Sequence, residues 1–158
     1  MGPIVARTLG RDFVDLDAAI ERREGRSIAD VFAASGEAGF RALERLLTAD
    51  LLSPDRAPLV LAAGGGWVED PENRRCLGRV ADAVYLRVSP AVAQARMGDS
   101  VAARPLLAGG DPLSKIELIL TRREAFYVQS QYTVSTESMT PDQVASSIVA
   151  LASREFAD

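Results

Sequence analysis

The sequence predicts an α/β fold in which a parallel sheet lies between two layers of helices, a three-layer α/β/α arrangement. Short apolar runs alternate with helical patterns along the 158 residues, and this alternation is typical of parallel sheets. Residues 59–63 are apolar at every position, as in a strand that is covered on both faces. The length is typical of one domain, so a single domain over residues 1–158 is expected.

Four short strands are predicted, separated by helical segments. The apolar runs that mark the strands lie at residues 13–16, 59–63, 83–88 and 132–136. Helical patterns occupy residues 2–9, 18–23, 28–35, 37–47, 71–81, 90–96, 113–130 and 141–154. Two of the helices begin with the spacing of a capping box, Ser27 with Asp30 and Thr140 with Gln143. Gly36 is expected to interrupt the helical pattern around it.

The composition excludes several kinds of chemistry. The chain has a net charge of −4, so it lacks the basic surface of nucleic-acid-binding proteins. It contains no histidine, so no histidine can act as a general base or as a metal ligand. Its single cysteine, Cys76, cannot form a disulfide within the chain or a thiolate metal cluster. No apolar run approaches the roughly 20 residues of a membrane span, and no signal peptide opens the chain. A cytoplasmic protein without a membrane partner is expected.

A ligand site is predicted at the carboxyl end of the strand at residues 59–63, where three consecutive glycines follow at residues 64–66. Glycines let a ligand approach the backbone closely, and ligands of open α/β sheets bind beyond the strand carboxyl ends. Asp15 and Asp17 end the first strand and lie on one side of it if that strand continues through both. The alternative is a flexible glycine turn, with the aspartates as a turn residue and a helix N-cap.

Residues 97–112, MGDSVAARPLLAGGDP, form a long segment with neither a helical nor a strand pattern. Loops of this length are uncommon unless they move or bind something. We expect this segment to be a lid that closes over the site and excludes water.

The order of these segments resembles that of the shikimate kinases, from residue 2 to near residue 152. The matching segments are LGRDFVDLDAAIERREGRSIADVFAASGEAGFRALE, VLAAGGGWVEDPENR, ARPLL, RREAFY and PDQVASSIVAL, in the family's order and spacing. The resemblance implies a P-loop kinase-like α/β/α fold, of which this chain has four of the five family strands. It also implies transfer of the γ-phosphoryl group of ATP to the 3-hydroxyl of shikimate, with Mg²⁺, in chorismate and aromatic amino acid biosynthesis.

The resemblance implies a role for each residue that matches a family motif. Asp17 resembles the carboxylate that hydrogen-bonds the shikimate hydroxyls near the attacking oxygen, and Asp15 resembles the acid that helps to hold Mg²⁺ through water. Arg41 and Arg123 resemble the two arginines that bind the shikimate carboxylate. Arg104 resembles the lid arginine that reaches the transferring phosphate, which implies a part in both catalysis and ATP binding. The glycines whose backbone meets the substrate match Gly64, Gly65 and Gly66.

General chemistry agrees with these roles, although each arginine also has an ordinary interpretation. Planar guanidinium groups bind carboxylates bidentately, and phosphoryl transfer depends on positioning and charge stabilisation rather than on covalent catalysis. Taken singly, Arg41 can pair with Glu37 or Glu44 on a solvated helix face, where such pairs contribute little. Arg123 has the same alternative, and Arg104 can be an ordinary loop charge.

Two features depart from the family pattern. Trp67 stands where a small or aliphatic residue is expected, so it either belongs to the core or narrows the pocket. The nucleotide-binding motif GxxGxGK[ST] does not occur in residues 1–158, and Met1-Gly2 falls on the Val-Gly pair that follows this motif in relatives. We therefore expect a mis-assigned start codon or a truncation, impaired ATP binding and phosphate transfer, and two unpaired inner sheet edges. Either the two halves approach each other, another chain fills the gap, or the folded protein is only marginally stable.

Two other functions stay open at this point. A non-catalytic remnant can keep the shikimate pocket as a binding or regulatory module, although the phosphate-facing Arg104 favours a kinase. Another small-molecule kinase of the same fold, such as a gluconate kinase, should lack the FR and RxxxY pair. The expected partners are shikimate and ATP, without nucleic acid, and the protein is expected to be a monomer.

Overall fold

A computed structural model of the chain describes residues 1–77, 79–98, 107 and 110–153, and within them strands and helices alternate as predicted. The strands are β1 Asp12–Asp15, β2 Leu59–Ala62, β3 Val84–Arg87 and β4 Tyr132–Ser135. The helices are α1 Gly2–Leu9, α2 Leu16–Glu24, α3 Ile28–Leu51, α4 Pro71–Arg75, α5 Pro90–Met97, α6 Pro112–Tyr127 and α7 Pro141–Ala152. A 3-10 turn follows the three glycines at Trp67–Glu69. Of the helices in this described part, none is both long and apolar enough to cross a membrane.

The strands form two parallel pairs. β1 pairs with β2, so that Asp15 lies opposite Ala62, and β3 pairs with β4, so that Arg87 lies opposite Ser135. Between the described residues of the two pairs there is no strand pairing, so the expected parallel sheet is present as two halves. Because β1 and β2 are parallel and in register, the segments that follow their carboxyl ends emerge at the same edge.

The end of β1 differs from the sequence-based expectation. The strand does not continue through Asp17, because Asp15 is the N-cap of α2 and its Oδ1 accepts a hydrogen bond from the Ala18 N–H at 3.0 Å. Asp17 therefore lies in the first turn of α2. The two carboxylates are brought to the edge of the sheet by a helix start rather than by strand alternation.

Several helix bounds also differ from the predictions. The two expected helices around Gly36 are one element that is kinked at this residue, where φ is 64° and ψ is −173°, and the second part runs on to Leu51. α4 ends at Arg75 rather than near residue 81, since Leu77 pairs with Ala81 in an isolated parallel bridge that a continuing helix would not allow. α6 ends at Tyr127, three residues earlier than expected. Both capping boxes are present, at Ser27 and at Thr140.

The main hydrophobic core lies beneath the turn that follows the glycines. It consists of buried side chains from α2, α3 and the 3-10 turn, namely Leu16, Ile20, Val31, Phe40, Leu47 and Trp67. Trp67 is 5% exposed, and its indole N–H donates to Thr48 Oγ1 at 2.8 Å. Trp67 is thus a core residue, and its hydrogen bond joins the turn to α3. The glycine segment is therefore anchored to the core through Trp67, the residue that follows it.

Candidate active site

Three glycines at the carboxyl end of β2 meet side chains from three different helices. A methyl group placed on the first glycine, residue 64, would lie 3.7 Å from Asp17 Oδ1 of α2. On the second it would lie 3.4 Å from Arg123 Nη1 of α6, and on the third 2.1 Å from Arg41 Nη2 of α3. Consecutive Cα atoms are about 3.8 Å apart, so these three side chains surround one small site. The fold therefore brings together Asp17, Arg41 and Arg123, which are far apart in the sequence.

Arg41 is held by two carboxylates of its own helix. Its Nη1 donates to Glu44 Oε2 at 2.7 Å, and its Nη2 donates to Glu37 Oε1 at 3.2 Å. The pairing that the sequence suggests is thus present, but only its Glu37 partner is solvated: the Glu37 side chain is 55% exposed, whereas that of Glu44 is 1% exposed. An ion pair with one buried partner constrains the guanidinium more than an exposed pair would. Arg41 is therefore fixed with its guanidinium against Gly66.

Glu44 places a carboxylate beneath the site. Its Oε1 has no hydrogen-bond partner among the described residues, and a methyl group on Gly64 would lie 3.8 Å from this atom. Burial raises the pKa of Glu44, Arg41 opposes this rise, and the nearby charge of Asp17 adds to it. A buried carboxylate in this position holds Arg41 in place and keeps one oxygen directed toward the glycines.

Arg123 and Tyr127 bring α6 to the second glycine. The hydroxyl of Tyr127 donates to the Gly65 carbonyl at 2.7 Å, and Arg123 Nε donates to Glu69 Oε1 at 2.5 Å. Burial raises the pKa of Tyr127, so its hydroxyl stays protonated and remains a donor at neutral pH. The two side chains are four residues apart and share one face of α6. This face fixes the distance between α6 and the glycine segment.

Comparisons with known proteins agree with this architecture. The family model described as shikimate kinase matches residues 1–153. A shikimate kinase of Symbiobacterium thermophilum is 39% identical over 133 residues, which cover 84% of this chain and 75% of the relative. One of Thermobifida fusca is 40% identical over 148 residues, covering 92% and 82%. The structure of the Acinetobacter baumannii shikimate kinase in complex with shikimate superimposes with a TM-score of 0.91 at 33% identity, covering 99% of this chain and 87% of that one.

The chain belongs to the shikimate kinase family. The resemblance carried by the five sequence segments is thereby confirmed, and with it the α/β fold and the class of enzyme, a phosphotransferase. The match to the family model extends over nearly the whole chain, which does not favour a gluconate kinase.

In this shikimate kinase chain, Asp15 is a helix cap that lies near the site edge. Within the described residues no group of three or more His, Cys, Asp or Glu side chains is placed to hold a metal ion. A lone carboxylate still fits Mg²⁺, which usually keeps several waters and takes one or two carboxylates together with substrate phosphates. The role of Asp15, which is to help to hold Mg²⁺ through water, stays a prediction.

The donor side of the site, which comprises the residues predicted to contact ATP, lies mostly outside the residues that the structure describes. Arg104 lies outside the described residues, as does most of the predicted lid at residues 97–112. Its role in catalysis and in ATP binding stays a prediction.

No role in the site is assigned from the sequence to three of its residues: Glu44, Glu69 and Tyr127, which is the tyrosine of the RxxxY pair. A signal for Glu44 exists, because Phe40, Glu44 and Leu47 share the i, i+4, i+7 spacing of one helix face, and this face is buried. A carboxylate among apolar positions of such a face indicates a buried polar role. Tyr127 follows Arg123 at i+4, which is the spacing of one helix face. No local pattern indicates the contact between Glu69 and Arg123, which are 54 residues apart in the sequence.

The raised pKa of Glu44 predicts a specific pH dependence of stability. A carboxyl group whose pKa is higher in the folded than in the unfolded state costs stability once the pH passes its ordinary value of 4.5. The free energy of unfolding of the wild-type chain, minus that of the Glu44→Gln variant, should therefore fall as the pH rises from about 4.5 through the folded-state pKa. Urea unfolding across this range, followed by Trp67 fluorescence, measures the difference.

The matched control for this experiment is Glu72→Gln, which removes an exposed carboxylate paired only with the exposed Arg75 among its described contacts. Its difference from the wild type should change little over the same range, because a solvated pair contributes little. A difference for Glu44→Gln that stays constant or increases with pH would contradict the assignment.

Proposed function

We propose that this chain binds shikimate at the site around Gly64–Gly66 and that its function is the ATP-dependent phosphorylation of the 3-hydroxyl of shikimate. The observation that carries the proposal is the convergence of Asp17, Arg41 and Arg123 on three glycines without side chains. Shikimate has one carboxylate and three hydroxyl groups. Two guanidinium groups suit the carboxylate, and an exposed carboxylate suits the hydroxyls. The shikimate complex of the Acinetobacter baumannii relative supports the same substrate.

The residues of the acceptor site, where shikimate binds as the phosphoryl acceptor, then have distinct roles. Arg123 and Arg41 bind the substrate carboxylate, and this binding orients the ring. Gly64–Gly66 let the ring lie close to the backbone, because any side chain there would occupy its space. Asp17, which is exposed at the start of α2, accepts hydrogen bonds from the ring hydroxyls. From this position Asp17 can take the proton of the attacking 3-hydroxyl as the new P–O bond forms.

The donor side is proposed from the family alone. ATP would supply the phosphoryl group and leave as ADP when its terminal P–O bond breaks. Asp15 would help to hold Mg²⁺ through water, Arg104 would contact the phosphate, and the metal ion would supply positive charge for the phosphate oxygens. Weak ATP binding by residues 1–158 stays a prediction, which isothermal titration with ATP would test. We further propose a single-domain, monomeric, cytoplasmic enzyme of aromatic amino acid biosynthesis.

Shikimate binding by the 158-residue chain tests the proposal directly. Trp67 is the only tryptophan of the chain and directly follows Gly66, so its fluorescence should change when the site is occupied. We expect saturable binding of shikimate and at least tenfold weaker binding of its methyl ester, which lacks the carboxylate charge. Equal affinity for both compounds, or no binding of either, would overturn the assignment of the acceptor site.

A coupled assay of phosphate transfer from ATP to shikimate tests the reaction itself. It is run on this chain and on one that carries a GxxGxGK[ST] segment of the family ahead of Met1. Transfer by either protein supports the kinase proposal. Shikimate binding without transfer by either one would favour the alternative function, a non-catalytic shikimate-binding module.

A further inference from the structure

Glu69 lies in the turn behind the glycines and contacts Arg123. The contact joins Glu69 Oε1 to Arg123 Nε at 2.5 Å. The Arg123 side chain is 11% exposed, whereas that of Glu69 is 44% exposed. A mostly buried guanidinium is thus held by a more exposed carboxylate from another element. The pair is a direct ionic connection between the 3-10 turn and α6.

The backbone that carries Glu69 is itself rigidly held. The Glu69 N–H donates to the Gly66 carbonyl at 3.0 Å. Arg74 Nη1 donates to the carbonyls of Val68 and Glu69 at 2.5 and 2.9 Å, and the Arg74 guanidinium lies over the Phe126 ring of α6 at 4.4 Å. The position of the Glu69 carboxylate is therefore set by the turn and not by a free loop. A carboxylate that is carried by a well-held backbone segment can keep the partner guanidinium in one position.

We propose that Glu69 is a positioning residue for Arg123. By accepting from Nε, it occupies one edge of the guanidinium and leaves the Nη edge directed toward Gly65, where Nη1 would lie 3.4 Å from a methyl group. A guanidinium offers separate edges, so a substrate carboxylate can bind the Nη edge while Glu69 stays in place. The inference rests on the proposed function, since it assigns Arg123 to the shikimate carboxylate.

The opposite role, in which Glu69 blocks the site, is less consistent with this geometry. A blocking carboxylate would occupy the Nη edge that faces the glycines, whereas Glu69 contacts Nε. Its charge also repels a substrate carboxylate, but Glu69 is nearly half exposed and its field is screened by solvent. Restricting a flexible arginine before binding is worth up to about tenfold in affinity. The positioning effect should therefore exceed the repulsion.

The test measures the affinity of the full 158-residue chain for shikimate and for its methyl ester, through Trp67 fluorescence. Glu69→Ala should weaken shikimate binding about tenfold and change ester binding less than twofold, because only shikimate uses the Nη edge with its full charge. Glu69→Gln, which keeps an acceptor oxygen, should recover most of the affinity. The matched control is Glu72→Ala, which removes a neighbouring exposed carboxylate without contact to Arg123 and should change both affinities less than twofold.

A double-mutant cycle separates positioning from a structural effect. In an Arg123→Ala background, Glu69→Ala should cause no further loss of shikimate affinity. Equal losses for shikimate and ester, or a full further loss in that background, would overturn the inference, and tighter binding by Glu69→Ala would indicate a blocking role. A wild-type chain that binds no shikimate overturns the proposed function together with this inference. If the wild-type chain binds shikimate and the Glu69→Ala variant binds it with the same affinity, this inference alone is overturned.

Discussion

Replacing Arg123 with alanine is expected to weaken shikimate binding by about a hundredfold while the fold stays intact. Truncating one partner of a desolvated, hydrogen-bonded charge pair typically costs about 2–5 kcal/mol, and about 2.7 kcal/mol corresponds to a hundredfold. The Arg123 side chain is 11% exposed, so little water competes for its guanidinium. The partner left behind, Glu69, is 44% exposed and can be solvated, so stability should change by less than about 1 kcal/mol.

Fluorescence titration with shikimate measures the affinity of the Arg123→Ala variant. Urea unfolding of the same variant measures its stability. Arg122→Ala is the matched control, since Arg122 precedes Arg123 on α6 and is exposed. It should leave shikimate affinity unchanged within about twofold, as expected for an exposed surface charge. Arg123→Lys should fall between the wild type and the alanine variant, because lysine keeps the charge but loses the bidentate geometry. If the Arg123→Ala variant binds shikimate as tightly as the wild type, then Arg123 does not bind the substrate carboxylate.

Replacing Gly66 with alanine is expected to displace Arg41. The new methyl group would lie 2.1 Å from Arg41 Nη2 and 2.7 Å from Arg41 Cζ, so the guanidinium must move. The backbone at Gly66 has a φ of −83°, which alanine adopts without strain, so the effect is purely steric. We expect shikimate affinity to fall by about a hundredfold. Stability should fall by about 1–3 kcal/mol, because the displaced guanidinium leaves the buried Glu44 carboxylate without its partner.

Gly64→Ala is the control for the stability part of this prediction. It makes the same change two residues earlier, but its methyl group would meet Asp17 Oδ1 at 3.7 Å, an ordinary van der Waals distance. Its free energy of unfolding should lie within about 0.5 kcal/mol of the wild type. If Gly66→Ala is as stable as Gly64→Ala and binds shikimate normally, then Arg41 is not fixed against the third glycine.

Much of the secondary structure could be predicted because its signals are local. Apolar runs placed the four strands within one residue of their observed bounds, and the capping boxes marked the starts of α3 and α7. The end of α4 was predicted too late, because the bridge between Leu77 and Ala81 that follows the helix has no signal in the local apolar pattern. The same holds for Asp17, whose helical position depends on the cap made by Asp15.

The sequence by itself determined the family, the order of strands and helices, and the candidates Asp17, Arg41 and Arg123, because motif spacing and apolar periodicity are properties of short segments. Only the tertiary structure decided that these three side chains surround Gly64–Gly66, that Glu44 is buried beneath Arg41, and that Glu69 holds Arg123. These features depend on contacts between residues that are distant in the chain, and the packing of α2, α3 and α6 against one glycine segment creates them.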